Sequence, residues 1–448
     1  MRAVKLAIAT LVLGSLGGVA YAATPATIRP TLISTAALPS DSDDITQIIG
    51  AGNSWLVVGN VEKSTISTST LFPNEASLGD TDGYIAMLDP ALHLVWSHRF
   101  GTSHADVATA IALGGDGLIW TVGVTTKEVS AVPSTPPTAT IEPSPTPTLP
   151  PVTAIPTFNP DGVVPVGTST PPAVADQLLI SSWNNTGQLL TQSLNLIADG
   201  ISINPTAVVP DKNGIYVVGT AVDPSAGTSR GFYVHVAKDG LLGPIRWVGS
   251  RAVVLRTATL LRNGSLAVAG SIGERLTDKP SIGSVDAFVA VVNPTTGAVL
   301  RTVRSGYPSA FRSWESLSAD RVGNLTAVGP SRVGAKNEVV ATSFSSSGAV
   351  KFSRHFANPV GTQASLVPPT GSFAFIALST TLKQLASRGG REAYLVPLDV
   401  RGRLLSPSYL AGKTGTGLLA AAHGHGYLLA VGDVSGLTLS WFAPRSGK

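Results

Sequence analysis

A two-hairpin pattern recurs along this chain at intervals of about fifty residues, and recurrence at one period decides the architecture before any single residue does. In each unit a short apolar strand passes a Gly, Asn or Asp turn and continues into a second strand that ends in a small residue. The second strands read "NSWLVVGN" (53 to 60), "GLIWTVGV" (117 to 124), "GIYVVGTA" (214 to 221), "GSLAVAGS" (264 to 271), "GNLTAVGP" (323 to 330), "SFAFIALS" (372 to 379) and "GYLLAVGD" (426 to 433). Gly59, Gly123, Gly219, Gly270, Gly329 and Gly432 recur there, with Ala377 in the sixth unit. A small residue at that point permits a bulge or a close backbone approach near a crowded axis.

The second hairpin of the first unit is "DGYIAMLDPALHLVWSHRFG" (82 to 101), and similar hairpins begin at Asp176, Gly231, Asp286, Glu338 and Glu392. Their turns, such as Asn-Asn-Thr-Gly and Lys-Asp-Gly, supply the positive φ that tight connections need. Four short strands per unit are the signature of a propeller blade, which buries its two faces only against neighbours. The expected fold class is therefore all-β, a seven-bladed β-propeller with an N-terminal strand closing the last blade. Blades are expected at about 45–106, 107–200, 201–252, 253–310, 311–361, 362–415 and 416–448. The last unit holds only three strands, and "ATIRPTLISTA" (26 to 36), within a closing strand and linker at 23–44, supplies the fourth. Such closure removes the edges an open array would expose.

The stretch "DGYIAMLDPALHLVWSHRFGTSHADVATAIALGGDGLIWTVGVT" (82 to 125) resembles the bacterial seven-bladed β-propeller repeat of SBBP type, found in secreted proteins, and "DAFVAVVNP" (286 to 294) fits the same pattern. Units of that family alternate an Asp-aromatic-x-apolar strand, a Trp-x-x-x-aromatic-Gly strand and an apolar-Gly strand. Blades two, five and six depart from it, Trp96 aligning with Gln192, Phe352 and Pro407. The resemblance implies a fold and carries no catalytic residues with it.

Residues 1–22 have the form of a secretory signal peptide: Arg2 and Lys5, an apolar run from Leu6 to Ala20, and a small-x-small site at Ala20-Tyr21-Ala22. The mature chain would begin near Ala23, outside the cytoplasm, secreted or associated with the cell envelope. No later stretch has the length of a membrane-spanning helix. The absence of cysteine removes disulfides and thiolate chemistry. Only 13% of residues are charged, against about 25% in an ordinary soluble domain, while 43% are hydrophobic, enough for a large core. Of the net charge of +4, Arg2 and Lys5 supply two, so the mature chain is nearly neutral. It has no run of Lys and Arg suited to nucleic acid. Residues 128–175 carry thirteen of the 32 prolines and many threonines, and read as a disordered Pro/Thr-rich insertion in blade two. It serves as a tolerated loop, or as a spacer, a site for O-glycosylation or a ligand for a proline-recognising partner.

The chain offers few candidates for chemistry. His423 and His425 form a His-x-His pair in a Gly-rich turn, and Asp80 with Asp82 resembles a fragment of a calcium loop without its later acidic ligand. These four are the metal candidates, each weighed against a plain turn role. Asp41, Asp43 and Asp44 read as a solvated linker between the closing strand and blade one, with weak divalent binding as the alternative. No Gly-x-Ser-x-Gly elbow occurs, and the seven tryptophans read mainly as packing between blades. No cofactor is expected. Export, a rigid ring and the lack of a recognisable catalytic set favour a non-enzymatic, monomeric binding or scaffold module for a protein or a cell-envelope glycan. The alternative is a propeller hydrolase or lyase, which requires carboxylates, or His with carboxylates, converging at a channel mouth.

Overall fold

The computed structural model describes residues 30–38, 44–62, 75–126, 175–275, 280–357, 364–370, 373–380, 392–399, 401–404, 408–410, 417–423, 426–433 and 436–444. Residues 1–22, and residues 128–174 of the Pro/Thr-rich stretch, lie outside them. Strand β1 (Pro30–Leu38) comes first. Blade one follows as β2 (Asp44–Ala51), β3 (Ser54–Glu62), β4 (Thr81–Leu88) and β5 (Leu94–Phe100). Blade two holds β6 (Asp106–Leu113), β7 (Ile119–Thr126), β8 (Ala175–Trp183) and β9 (Leu189–Leu196). Blade three holds β10 (Ser202–Pro210), β11 (Gly214–Asp223), β12 (Thr228–Ala237) and β13 (Arg246–Val248). Blade four holds β14 (Val253–Leu260), β15 (Leu266–Ile272), β16 (Asp286–Val292) and β17 (Val299–Ser305). In blade five the first strand is split into β18 (Ala310–Arg312) and β19 (Ser316–Ala319), followed by β20 (Leu325–Val333), β21 (Lys336–Phe344) and β22 (Val350–Ala357). Blade six holds β23 (Ala364–Thr370), β24 (Phe373–Thr380), β25 (Glu392–Leu398) and β26 (Ser408–Leu410). Blade seven is β27 (Gly417–His423), β28 (Gly426–Asp433) and β29 (Gly436–Pro444), with β1 as its fourth strand.

All seven sheets are antiparallel meanders, and the seventh has the order β1-β29-β28-β27. The strand nearest the N-terminus thus closes the ring against the strand nearest the C-terminus, pairing from Pro30 with Pro444 to Leu38 with Leu437. First strands pack against one another in a circuit, β2 on β6, β10, β14, β19, β23 and β27, and from β27 back to β2. They surround the axis, and the fourth strands lie at the rim. The core is therefore distributed between blades. Ile48, Trp55 and Tyr84 of blade one meet Leu428 and Leu439 of blade seven, and Leu56 and Ile85 meet Ile111 and Trp183 of blade two. Trp55, Trp120, Trp183 and Trp314 are fully buried in these layers.

The repeated glycine answers to a bulge in the first strand. Register slips by one residue between Ile45 and Gln47, Ala108 and Ala110, Pro205 and Ala207, and Leu255 and Thr257. The residue before each slip faces the glycine: Ile45 pairs with Gly59, Ala108 with Gly123, Pro205 with Gly219 and Leu255 with Gly270. A β-carbon on Gly123, Gly219 or Gly270 would overlap the carbonyl oxygen of Val107, Asn204 or Val254. In blade six, where Ala377 stands instead, Ser365, Leu366 and Val367 pair with Ala377, Ile376 and Phe375 without a slip. The extra residue is threonine in three blades. Thr46, Thr109 and Thr206 donate their hydroxyls to Val58 O, Val122 O and Val218 O at 3.1, 3.2 and 3.4 Å, one residue before the glycine.

Gly270→Ala should therefore cost about 2 kcal/mol or more, the penalty of forcing an extra carbon against fixed backbone. Urea denaturation of the variant checks this, and an unchanged midpoint would show that β14 relaxes around the methyl group.

A candidate anion cleft between blades four and five

Turns joining first to second and third to fourth strands gather on one face of the ring. They share one chemistry: the amides of Gly117, Gly187, Gly240, Gly264, Gly323, Gly348 and Gly402 donate to carbonyls three residues earlier, each glycine at positive φ. Those between third and fourth strands lean on the fourth strand of the preceding blade. Gly187 sits over Trp96, Gly297 over Arg246, Gly348 over Arg301 and Gly402 over Phe352. In three of these contacts a side chain holds the turn. Trp96 Nε1 donates to Asn185 O at 3.2 Å, Arg246 Nη2 to Thr295 O at 2.7 Å and Arg354 Nε to Gly402 O at 2.6 Å.

Arg301 breaks the pattern. It occupies the register position of Trp96, since Met87 pairs with Trp96 and Val291 with Arg301, each pair just before a slip. Yet its half-buried guanidinium has no ion pair among the described residues, and its Nε is enclosed without a hydrogen-bond partner there. Burial pushes its pKa below the usual arginine value. It borders a cleft of about 410 Å³ whose rim carries the exposed Arg262 and Arg321. Leu261, Leu300 and Val322 form apolar walls, and among the described residues no Asp or Glu lines the space. The nearby Asp320 is committed to its own turn, accepting from Val322 N, Asn324 N and Asn324 Nδ2 at 3.0, 2.8 and 2.7 Å. A partly desolvated cation with no counter-charge is costly, and what the arrangement can do chemically is hold an anion. Arg262 and Arg321 belong to first-to-second turns of adjacent blades, "LRNG" and "DRVG". A search for runs of basic residues misses them, because the fold and not the chain brings them together.

The metal candidates read from the sequence lie elsewhere, Asp80 and Asp82 at the connection from β3 into β4 on the opposite face. Asp82 is fully buried, and its carboxylate accepts from Ser77 Oγ, Leu78 N, Gly79 N and Arg99 Nη1 at 3.0, 3.0, 2.8 and 3.1 Å. Its lone pairs serve the connection into β4, so the calcium-loop likeness has a turn cap and an ion pair behind it. Asp80 is exposed in the same connection. His423 ends β27, while His425 falls outside the described residues, as do Asp41 and Asp43. Among the described residues no three His, Asp or Glu side chains come together as a metal would need. Four of the other histidines pair singly with carboxylates: His93 with Asp89, His98 with Glu75, His235 with Asp211 and His355 with Glu338.

The position of Asp82 repeats around the ring with changing chemistry. Asp286 in blade four, also fully buried, accepts from Ile282 N and Gly283 N at 2.8 and 2.7 Å and from Arg304 Nη2 at 2.9 Å. In blade five Glu338 and His355 meet at 2.8 Å, and in blade three Arg230 stacks over the Trp247 ring at 4.1 Å from its centre. Register also corrects one alignment: Trp96 corresponds to Thr191, which pairs with Ser182, and not to Gln192. Phe352, paired with Ser343, is at the expected place, and Pro407 is outside the described residues. On the inner strands Arg256 and Glu315 occupy bulge sites where earlier blades have threonine, and face each other at 3.7 Å.

No protein-family model matches this sequence, and no curated protein matches it. The fold is similar to that of solved structures. These include the Neurospora crassa Pan2 WD40 domain, at 10% identity over 94% of this chain and 98% of that one, with a TM-score of 0.51. Others are the polysaccharide lyase Uly1, at 8% identity over 89% of each chain and a TM-score of 0.47, and Sqt1 from Chaetomium thermophilum, at 11% over 94% and 100% with a TM-score of 0.45. Likeness at this identity speaks for a β-propeller and for nothing finer.

The buried carboxylates carry two predictions about stability. Asp286→Ala leaves Arg304 buried without its partner and should cost about 3–5 kcal/mol in chemical denaturation; a loss under about 1 kcal/mol would mean that water replaces the carboxylate. Burial raises the pKa of Asp106 despite hydrogen bonds from Thr102 and Thr125. The folded state then holds this proton more tightly than the unfolded one, so its contribution is greatest at low pH and is lost as pH rises through the raised value. Asp106→Asn should flatten the fall in stability from about pH 4 upward, and a parallel pH profile in the two proteins would contradict it.

Proposed function

We propose that this protein is a non-enzymatic, exported, monomeric binding module, whose closed ring presents the turn-bearing face to a protein or a cell-envelope glycan. The observation that carries this reading is Arg301: a half-buried guanidinium with an enclosed Nε, unpaired among the described residues, in a cleft that two further arginines and no described carboxylate line. The leader-like residues 1–22 support export, and the likeness of residues 82–125 to repeats of secreted propellers agrees with it. A rigid ring is suited to this work because its turns are held by the blades beneath them, so a ligand meets a preformed surface.

The test is thermal unfolding of the chain from Ala23 with polyglutamate, polygalacturonate and an uncharged dextran. A bound polymer at a hundred times its Kd should add about 2.7 kcal/mol of stability. The expected result is a shift with an anionic polymer that fades at high salt and is absent with dextran. No shift with either anion, or an equal shift with dextran, would overturn the proposal.

A further inference from the structure

Resting on that reading, we infer that the occupant of the cleft is an acidic segment of a protein, with an Asp or Glu carboxylate against Arg301 and an aliphatic neighbour against Leu300 and Val322. Two features of the cleft favour a peptide over a glycan, and a third fixes the place of its carboxylate. Its apolar walls are aliphatic: Leu300 is 55% and Val322 72% exposed, and among the described residues no aromatic ring lines the space for a sugar ring to stack on. Second, Leu300 and Arg301 both belong to β17, the fourth strand of its sheet, which among the described residues pairs only with β16. Its other edge carries backbone donors and acceptors that an extended peptide satisfies by adding as a strand, the main chain giving affinity and side-chain pockets giving specificity. Third, a planar guanidinium takes a carboxylate through two parallel hydrogen bonds, which fixes a side chain's place as a point charge would not.

Internal repetition supplies the control. Arg246 and Arg354 lie on fourth strands beneath the next blade's turn, and each is spent on a turn carbonyl. Arg301 sits beneath the turn at Gly348, and the structure gives it no such bond. If its role were to hold that turn, removing its charge would weaken the fold as removing Arg354 would. If its role is to meet a ligand, the free protein loses nothing.

The experiment measures fluorescence anisotropy of a labelled peptide of alternating Glu and Val, its Gln-for-Glu counterpart, and a labelled galacturonate oligosaccharide, on the chain from Ala23. The expected result is saturable binding of the acidic peptide and about tenfold weaker binding of the Gln peptide, one charge-assisted contact being worth about that factor. Arg301→Met should lose about as much while keeping or raising the unfolding temperature, with Arg301→Lys between; Arg354→Met should lower that temperature and leave binding intact. Should Arg301→Met not fold, Arg262→Gln combined with Arg321→Gln, both at exposed positions, carries the same comparison. Equal binding of the Gln peptide, or undiminished binding by the variants, overturns the inference. Binding of galacturonate without the peptide overturns it but keeps the binding-module reading with a glycan ligand. If neither probe binds, both fall.

Discussion

The ladder between β1 and β29 is the interaction on which the remaining structure depends. A blade of this kind has two apolar faces, and a row of blades left open would show water one such face at each end. Pairing the two ends of the chain within one sheet sets blade seven against blade one, so that Leu428 and Leu439 cover Trp55 and Tyr84. Every apolar layer then has two walls. The chain has no cysteine to fasten such a ring, and backbone pairing does that work.

From closure follows the stacking order, and from the stacking order follows the functional surface. Third-to-fourth turns come to rest on the preceding blade's fourth strand, and three of the turn glycines meet the side chain at one register position: Trp96, Arg301 or Phe352. Trp96 and Phe352 are absorbed into packing against the turn above them. Arginine at that position brings a charge that packing alone cannot satisfy. The buried pairs across the ring show the contrast. Asp82 and Asp286 are surrounded by donors on all sides, including Arg99 and Arg304, which leaves their charges serving the fold. Breaking such a pair is costly although forming it contributes little, so these carboxylates hold the connections into β4 and β16 in place and offer nothing to a ligand.

Variation at repeated positions is the means by which a symmetric scaffold acquires a site. The inner strands use threonine at three bulges and the Arg256–Glu315 pair at the next two sites. The outer pair is Asp–Arg, Arg–Trp, Asp–Arg or Glu–His by blade. Packing needs only that each position be filled, so the chemistry there is free to differ from blade to blade, and the cleft between blades four and five is one outcome of that freedom.

Local patterns in the chain were enough to determine the blades. Alternating apolar strands, turn glycines and the repeated Gly59-type residue are short-range requirements of backbone geometry, readable wherever they stand; even the incomplete last unit and its missing strand could be counted. The reason for the glycine was only half legible, because the bulge belongs to the partner strand and the steric conflict arises on pairing. The role of Asp82 was half legible in the same way: the sequence displays a turn carboxylate beside Asp80, while Arg99, which meets Asp82, arrives from the next strand. Arg262, Arg301 and Arg321 stand about twenty to forty residues apart in three different local settings, and nothing in their neighbourhoods marks them as a group. Their convergence was decided by tertiary structure alone, since it depends on how one blade stacks on the next, and stacking is set by the closure of the whole ring.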